Sequence, residues 1–341
     1  MKRIVTFGEI LMRFSRPGAL RLSQRGYWEA QFGGSEANVA VSLAKLGNRV
    51  GYVTRIPQNE VGRACLHTLR CNGIDVKDIV WGGDRLGIYY FEPATDIRRA
   101  QVVYDRNGSS FWSSAPGMFP WKDIFADADI FHCSGITCAV SQSATDATFE
   151  AVETARDMGL RITGDINYRK NLWKYPGANA HDTLHRLMEY SHFIFGDQDE
   201  WELISGIPQV PMGGMLSEDF VLDMDAYRRY FDELHRQFPR CREMMIGVRN
   251  QISSARHTLS ALLWSEGEIY RARIYDIFPI VDPVGVGDAF VAAYIHSSEK
   301  WPGQPQRCLD FSVAAAMMKN SICGDFNLVT EDEILEQFVE A

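Results

Sequence analysis

Residues 3–7, Arg-Ile-Val-Thr-Phe, form a short apolar run stopped by Gly8-Glu9, and they predict a buried first strand. Between 10 and 32 the pattern loosens into weak alternation, punctuated by Pro17-Gly18 and Gly26 and without a helical period. Short antiparallel strands outside the main sheet are expected there. Gly33-Gly34 then opens a run in which Ala37, Ala40, Val41 and Ala44 recur at the 3.6-residue period, with Gly47 placed to end it. A helix of such small residues can lie close against a sheet. A strand follows over 49–54 and a helix over 61–71, and two further strands at 88–91 and 100–104 are separated by a polar loop. Together with 10–32 they make a second, small β layer.

Beyond Ser114 the pattern becomes regular. Apolar runs at 128–133, 160–165, 192–195, 243–247 and 259–264 alternate with helical periodicity at 143–158, 181–190 and 225–238. A run at 277–281 reads as a last strand, followed past two glycines by a helix over 288–300. Strands alternating with helices predict a parallel sheet covered on both faces through right-handed crossovers. Ligands of such sheets bind beyond the C-terminal strand ends. Asp165, Asn167, Arg169, Asp197, Glu200, Gly247 and the glycines before Asp288 all follow strands, so they are expected along one edge.

Length and composition narrow the function classes. A chain of 341 residues holds one large α/β domain or two smaller ones. The net charge, 35 − 44 = −9, leaves no basic footprint for nucleic acid. No apolar run approaches the roughly 18 residues of a membrane span. Gly8-Glu9 also interrupts the residues after Met1-Lys2-Arg3 too early for a signal-peptide core. Seven cysteines without a Cys-x-x-Cys pair point to free thiols in a reducing cytoplasm. His181 and His185 have i, i+4 spacing but no third ligand, so a solvated helix face is expected rather than a metal site.

The densest chemical signal is Asp282-Pro283-Val284-Gly285-Val286-Gly287-Asp288. Two glycines ahead of a helix let main-chain N–H groups turn inward, and the helix start adds partial positive charge, which makes an anion site suited to phosphate. A carboxylate at Asp288 would repel phosphate unless it had a task, such as taking a proton from an attacking hydroxyl. On this stretch alone, a plain strand-to-helix turn capped by Asp stays open as well. The stretch is neither a Walker loop nor a full dinucleotide fingerprint. Gly33-Gly34 similarly lets a ligand approach the backbone, and Asn38 offers a donor and an acceptor, although packing alone accounts for the same loop. Tyr89, Tyr104 and Arg106 are polar-tipped residues of the small β layer, and Arg169 stands just past a strand end and an Asp-x-Asn.

The segment from Gly33 to Gly47 resembles the N-terminal signature of the ribokinase-like (PfkB) carbohydrate kinases, and Asp282 to Phe290 resembles their C-terminal one. The order of strands and helices between them fits, so the resemblance covers nearly the whole chain. Residues 8–15, 34–38, 165–173 and 319–327 are most similar to the 2-keto-3-deoxygluconate kinases of that group. The resemblance implies a single ribokinase-like α/β domain over 1–341. Its central, mostly parallel sheet would be flanked by helices, with lid strands inserted at about 10–32 and 86–112. It implies transfer of the ATP γ-phosphoryl group to 2-keto-3-deoxygluconate, with Asp288 as base and Gly285, Val286 and Gly287 as anion hole. By the same likeness Gly34, Ser35, Asn38, Tyr89, Tyr104, Arg106 and Arg169 contact the sugar acid, while Asp197, Gly247, Arg249, Gly285, Gly287 and Asn320 face the nucleotide. Mg²⁺ would be held through water by Asp197 and Glu200, where Asp197-Gln198-Asp199-Glu200 takes the place of the family's Asn-x-x-Glu. A homodimer paired through the lid is also implied.

The sequence departs from the family pattern at Pro283-Val284, at Val286 where alanine is usual, and at Val248-Arg249-Asn250-Gln251 where Gly-x-x-Gly is usual. Guanidinium groups grip carboxylates bidentately, so Arg106 and Arg169 together speak for a sugar acid. A fructokinase or ribokinase acting on a neutral sugar has less use for both. A catalytically silent sugar-binding protein draws support only from Asp197 and residues 248–251.

Overall fold

All five residues of the strand Arg3–Phe7 are buried, because the strand lies inside a nine-stranded sheet with neighbours on both sides. The structure, a computed structural model, describes residues 2–211 and 222–337. In space the strands run Glu268–Arg271, His257–Ser265, Glu243–Gln251, Phe193–Asp197, Arg161–Asp165, Ile130–Ser134, Arg3–Phe7, Arg49–Val53. Every pair from Arg49–Val53 to Glu243–Gln251 is parallel. His257–Ser265 turns back antiparallel, and Glu268–Arg271 and Tyr275–Ile277 pair antiparallel with it.

The pleat divides the core in two. Val5, Phe7, Phe131, Cys133, Met244 and Ile246 belong to one layer, which includes residues of the helices Gln142–Asp157, Ala180–Met188 and Met224–Gln237. Ile4, Ile130, Phe193 and Met245 belong to the other, with the helices Ser35–Lys45, Val286–Lys300 and Pro305–Lys319. On this second face Ala37, Ala40, Ala289, Ala292 and Ala316 are buried. Small side chains there let the helix carrying Ser35 and the helix carrying Asp288 approach closely.

Four strands, in the order Glu29–Gly33, Leu11–Ser15, Gly87–Glu92, Gln101–Asp105, form the separate small sheet. Its outer pairs are antiparallel hairpins, whereas Leu11–Ser15 and Gly87–Glu92 run parallel. Parallel neighbours need a long crossover, here residues 16–86, which include the helices Ser35–Lys45 and Glu60–Cys71. Leu11, Arg13, Tyr89 and Phe91 are buried beneath this lid, while the alternate residues Met12, Phe14, Ile88 and Tyr90 are only half-buried.

One expected element is absent. The run 277–281 is not a strand: pairing stops at Ile277, and Phe278 and Val281 are exposed. Pro279 has no N–H to give to a ladder. The N–H groups of Val281 and Asp282 bond instead to the carbonyl of Asn320, which places the glycine loop against the end of the helix Pro305–Lys319. The seven cysteines are free thiols, and among the described residues no helix is long and apolar enough to cross a membrane. His181 and His185 do stack, but His185 bonds the Ile204 carbonyl and packs on Phe238 rather than standing in solvent.

Candidate active site

The strand C-termini and the underside of the lid enclose a cleft of about 560 Å³. Gly34, Ser35, Asn38, Tyr89, Tyr104, Arg106, Asp165, Asn167, Arg169, Asp197, Glu200, Gly247, Arg249 and the loop from Gly285 to Asp288 all line it. The edge expected from the alternation of strands and helices is therefore one continuous surface.

At its floor Gly285 caps the helix Val286–Lys300 with φ +82°, in the left-handed region. A Cβ there would also meet the Asp325 carbonyl oxygen at 2.2 Å, so both backbone and space demand glycine. Gly287 differs, since its Cβ would meet only the Phe195 ring, at 3.7 Å. Packing does not require glycine at 287; its missing side chain leaves the cleft open above the helix start. The first-turn N–H groups there have no intrahelical carbonyl to bond, and they supply the donors and dipole of an anion site.

Asp288 stands in that first turn. Ser35 Oγ donates to its Oδ1 at 2.8 Å and Asn38 Nδ2 to its Oδ2 at 2.7 Å. Both donors are themselves oriented. Asn38 Oδ1 accepts the Gly34 N–H at 3.2 Å, and Ser35 Oγ accepts Asn167 Nδ2 at 2.7 Å. Asn167, at φ 41°, is tied back to Asp165 through its N–H at 3.1 Å. Ser35 and Asn38, expected to touch the sugar acid, thus aim the Asp288 carboxylate. Burial raises the Asp288 pKa, and the bonds from Asn38 and Ser35 and the charge of Arg169 oppose that rise. A carboxylate so held is fixed in direction yet a stronger base than one in water.

Cations ring the other wall. Arg169 faces the open cleft, with Tyr104, Glu200, Asp165 and Asp288 as its electrostatic neighbours. Arg106 is buried and donates through Nε to Glu9 Oε2 at 2.6 Å, while its Nη1 has no partner. The sequence reading missed Glu9. Ser109 also bonds Glu9, so the pair holds the lid segment after Gln101–Asp105 onto the first loop of the large domain. Tyr89 lines the cleft with its ring, but its hydroxyl donates to Asp325 at 2.7 Å. Asp325 pairs with Arg13, which also pairs with Asp282 at 2.7 Å. The structure therefore places Tyr89 first in a buried cluster with Arg13, Asp282 and Asp325. Tyr104, whose ring lies 6.1 Å from that of Tyr89, remains at the cleft wall.

Towards the far end, Gly247 makes room for a carboxylate, because a Cβ there would lie 2.8 Å from Asp197 Oδ1. Arg249 counters the Asp197 charge. Asn320 does not belong to this end. It is buried and does not line the cleft, and its Nδ2 bonds to the Ala316 carbonyl at 2.9 Å one turn back at the end of the helix Pro305–Lys319.

Asp165, Asp197 and Glu200 gather beside the strand ends. Burial raises all three: Asp165 well above the usual carboxylate range, with Glu200 the next cause, and Glu200 to about 7, with Asp197 the next cause. A cation near them would relieve that repulsion. Glu200 already accepts the N–H groups of Tyr168 at 2.7 Å and Asp197 at 2.9 Å, which leaves it further lone pairs. Among the described residues no three His, Cys, Asp or Glu form a direct metal cage. The donor set thus fits a Mg²⁺ ion that keeps its waters and binds through them.

Comparisons with known proteins bear on the family of the whole chain. The chain is 29% identical over 335 residues to the 2-dehydro-3-deoxygalactonokinase of Haloferax volcanii, covering 97% of this chain and 95% of that one. It is 28% identical over 349 residues to the 2-dehydro-3-deoxygluconokinase of Thermoproteus tenax, covering 100% and 95%. The crystal structure of a 2-dehydro-3-deoxygluconokinase from Thermotoga maritima superposes with a TM-score of 0.90 at 31% identity, covering 99% of this chain and 98% of that one. The family model of pfkB family carbohydrate kinases matches residues 1–239. That match ends before the loop at Gly285, whose reading rests on its own geometry. On the matched stretch and the superposition together, the chain belongs to the pfkB family of carbohydrate kinases.

Proposed function

We propose that this kinase transfers the γ-phosphoryl group of ATP to the primary hydroxyl of a 2-keto-3-deoxy sugar acid, with 2-keto-3-deoxygluconate as the acceptor. The observation that carries the proposal is the pairing of two features in one cleft. A doubly hydrogen-bonded Asp288 stands on an anion-seeking helix start, and the guanidinium groups of Arg106 and Arg169 face the same space. A neutral sugar leaves the open Arg169 guanidinium and the unbonded Nη1 of Arg106 unmet, the Nε of Arg106 being already paired with Glu9; a carboxylate supplies acceptors for both.

In this reading the hydroxyl oxygen attacks the γ-phosphorus while its proton passes to Asp288. The bond from that phosphorus to the bridging oxygen breaks, and ADP leaves. Main-chain N–H groups of Gly285 to Gly287 stabilise charge on the transferring group without reorganisation, which is where such sites gain most. Asp197 and Glu200 would hold Mg²⁺ through water, and the ion, when bound, neutralises phosphate charge. Arg169 and Arg106 orient the acid so that its far hydroxyl meets Asp288.

A relative named for the 2-keto-3-deoxygalactonate epimer is as similar as one named for the gluconate, so both belong in the test. ADP release would be followed with 2-keto-3-deoxygluconate, its C4 epimer, fructose and ribose as acceptors. Preference for either keto-deoxy acid supports the reading. Preference for fructose or ribose refutes the sugar-acid assignment, and no turnover of any acceptor refutes the kinase reaction itself.

A further inference from the structure

Lys319 ends the helix Pro305–Lys319 and is fully buried. A buried ammonium is costly unless a carboxylate pairs with it. The two carboxylates nearest in charge, Asp282 and Asp325, are instead bonded to Arg13. Lys319 Nζ donates to main-chain carbonyls, that of Ile322 at 3.0 Å and that of Asp282 at 3.3 Å. These carbonyls belong to the two segments under the anion site. Asp282 opens the loop to Gly285, and Ile322 precedes Asp325, whose own carbonyl is the atom that a Cβ on Gly285 would strike. That same Cβ would lie 3.5 Å from Lys319 Cε, so the lysine stem passes directly behind Gly285. Lys319 does not line the cleft.

We propose that Lys319 is a positioning residue for phosphoryl transfer: its ammonium holds the Asp282 and Ile322 carbonyls on itself and sets a fixed positive charge behind the Gly285 to Gly287 N–H groups. The proposal rests on reading those groups as the anion hole. Burial works against the ammonium, and the charges of Asp282 and Asp325 favour it. A charge in so dry a place is poorly screened and acts over several ångströms. It assists most when negative charge moves onto the transferring group and less when substrates merely bind. A residue that served only to join the two segments would affect stability and would not need to be charged.

The test replaces Lys319 by Met, which keeps the stem without the charge, and by Gln, which keeps N–H donors for the carbonyls. Both are compared with wild type for kcat, acceptor KM and melting temperature. Loss of the charge should lower kcat at least about tenfold in each folded variant, with acceptor KM changed less than about threefold. If the Met variant does not fold, the Gln variant carries the same comparison. Lys319→Ala should regain part of its kcat in methylammonium chloride but not in tetramethylammonium chloride of equal ionic strength. A folded Met or Gln variant with kcat within about twofold of wild type overturns the proposal, as does equal response to the two salts. The two readings fail differently. Wild type that turns over no acceptor with ATP sinks the kinase reading and this inference together, whereas an active wild type with unaffected variants sinks this inference alone.

Discussion

Asp288→Asn separates the proton transfer proposed for Asp288 from the hydrogen bonds that it makes. The carboxylate accepts from Ser35 Oγ at 2.8 Å and from Asn38 Nδ2 at 2.7 Å. An amide can occupy the same place, with its oxygen on Asn38 and its nitrogen donating to Ser35 Oγ. That hydroxyl has two acceptor sites, and Asn167 uses one. The geometry survives, and the ability to take a proton does not. Loss of a general base costs about 10²–10⁴ in rate, or about 2.7–5.4 kcal/mol at 1.36 kcal/mol per tenfold. It should appear in kcat with little change in acceptor KM. Stability should move the other way. Burial is the first cause of the raised Asp288 pKa, so the ionised group is held less well in the folded protein than in the unfolded chain. A carboxyl of this kind contributes stability below its unfolded pKa and loses it as pH rises through the folded value. The amide has no such loss, and at pH 8 the variant should melt no lower than wild type. The assay is ADP release under saturating substrates beside a thermal melt at pH 8. A kcat within about fivefold of wild type removes Asp288 as base. A large loss of kcat together with a lowered melting temperature would mean that Asp288 holds the network of Ser35, Asn38 and Asn167 together.

Three further outcomes are expected. Arg169→Ala should cost on the order of 2–4 kcal/mol in kcat/KM for 2-keto-3-deoxygluconate and leave weak turnover of fructose nearly unchanged, because only the acid loses a carboxylate contact; equal losses on both acceptors would assign Arg169 to the fold or the nucleotide. Glu36 is buried with Ser134 and Thr137 donating to it, and burial first of all pushes its pKa up to about 7. Wild type should therefore lose stability as pH rises from about 4.5 to about 7, and Glu36→Gln should remove on the order of 3 kcal/mol of that fall; urea melts at pH 5 and pH 8 with the same difference in both proteins would refute this. The lid leaves Met12, Phe14, Ile88 and Tyr90 half-buried on its outer side, with Trp28 and Val103 exposed. An apolar patch of this kind favours burial against a partner, so a lid-paired homodimer is expected, and light scattering that finds only a 38.6 kDa species at micromolar concentration counts against it.

What could be read from the sequence follows from which interactions are local. Strands such as Arg3–Phe7 and Ile130–Ser134 are buried on both faces, so their signal is a continuous apolar run that needs no knowledge of partners. Where strands and helices alternate, the strand C-termini must share an edge, and residues as distant as Asp165, Gly247 and Asp288 could be assigned to one cleft before any contact was known. The misses are of two kinds. The run 277–281 looked apolar enough for a strand, but Pro279 within it was the local sign that the ladder would stop. Asn320 stands just past a long helix and bonds back to its Ala316 carbonyl outside the cleft, a placement that its position in the sequence does not show.

The second kind of miss has no local sign at all. Arg13 meets Asp325 across 312 residues, and Arg106 meets Glu9 across 97. Each member taken alone reads as a surface charge. The one available hint was Arg13 in a strand alternating with Leu11 and Ser15, where a charge on the buried side implies a buried opposite charge somewhere. That hint names no partner, because composition supplies many acids and only the fold selects among them. The selection has a functional consequence. Arg13 and Tyr89 come from the lid, and both bond Asp325, whose carbonyl touches Gly285. The same buried charges that fasten lid to floor therefore also hold the loop to which the proposed reaction assigns the anion hole. A site assembled in this way is legible in its exposed edge and hidden in its foundations, since the edge is made by strand order and the foundations by pairing over distance.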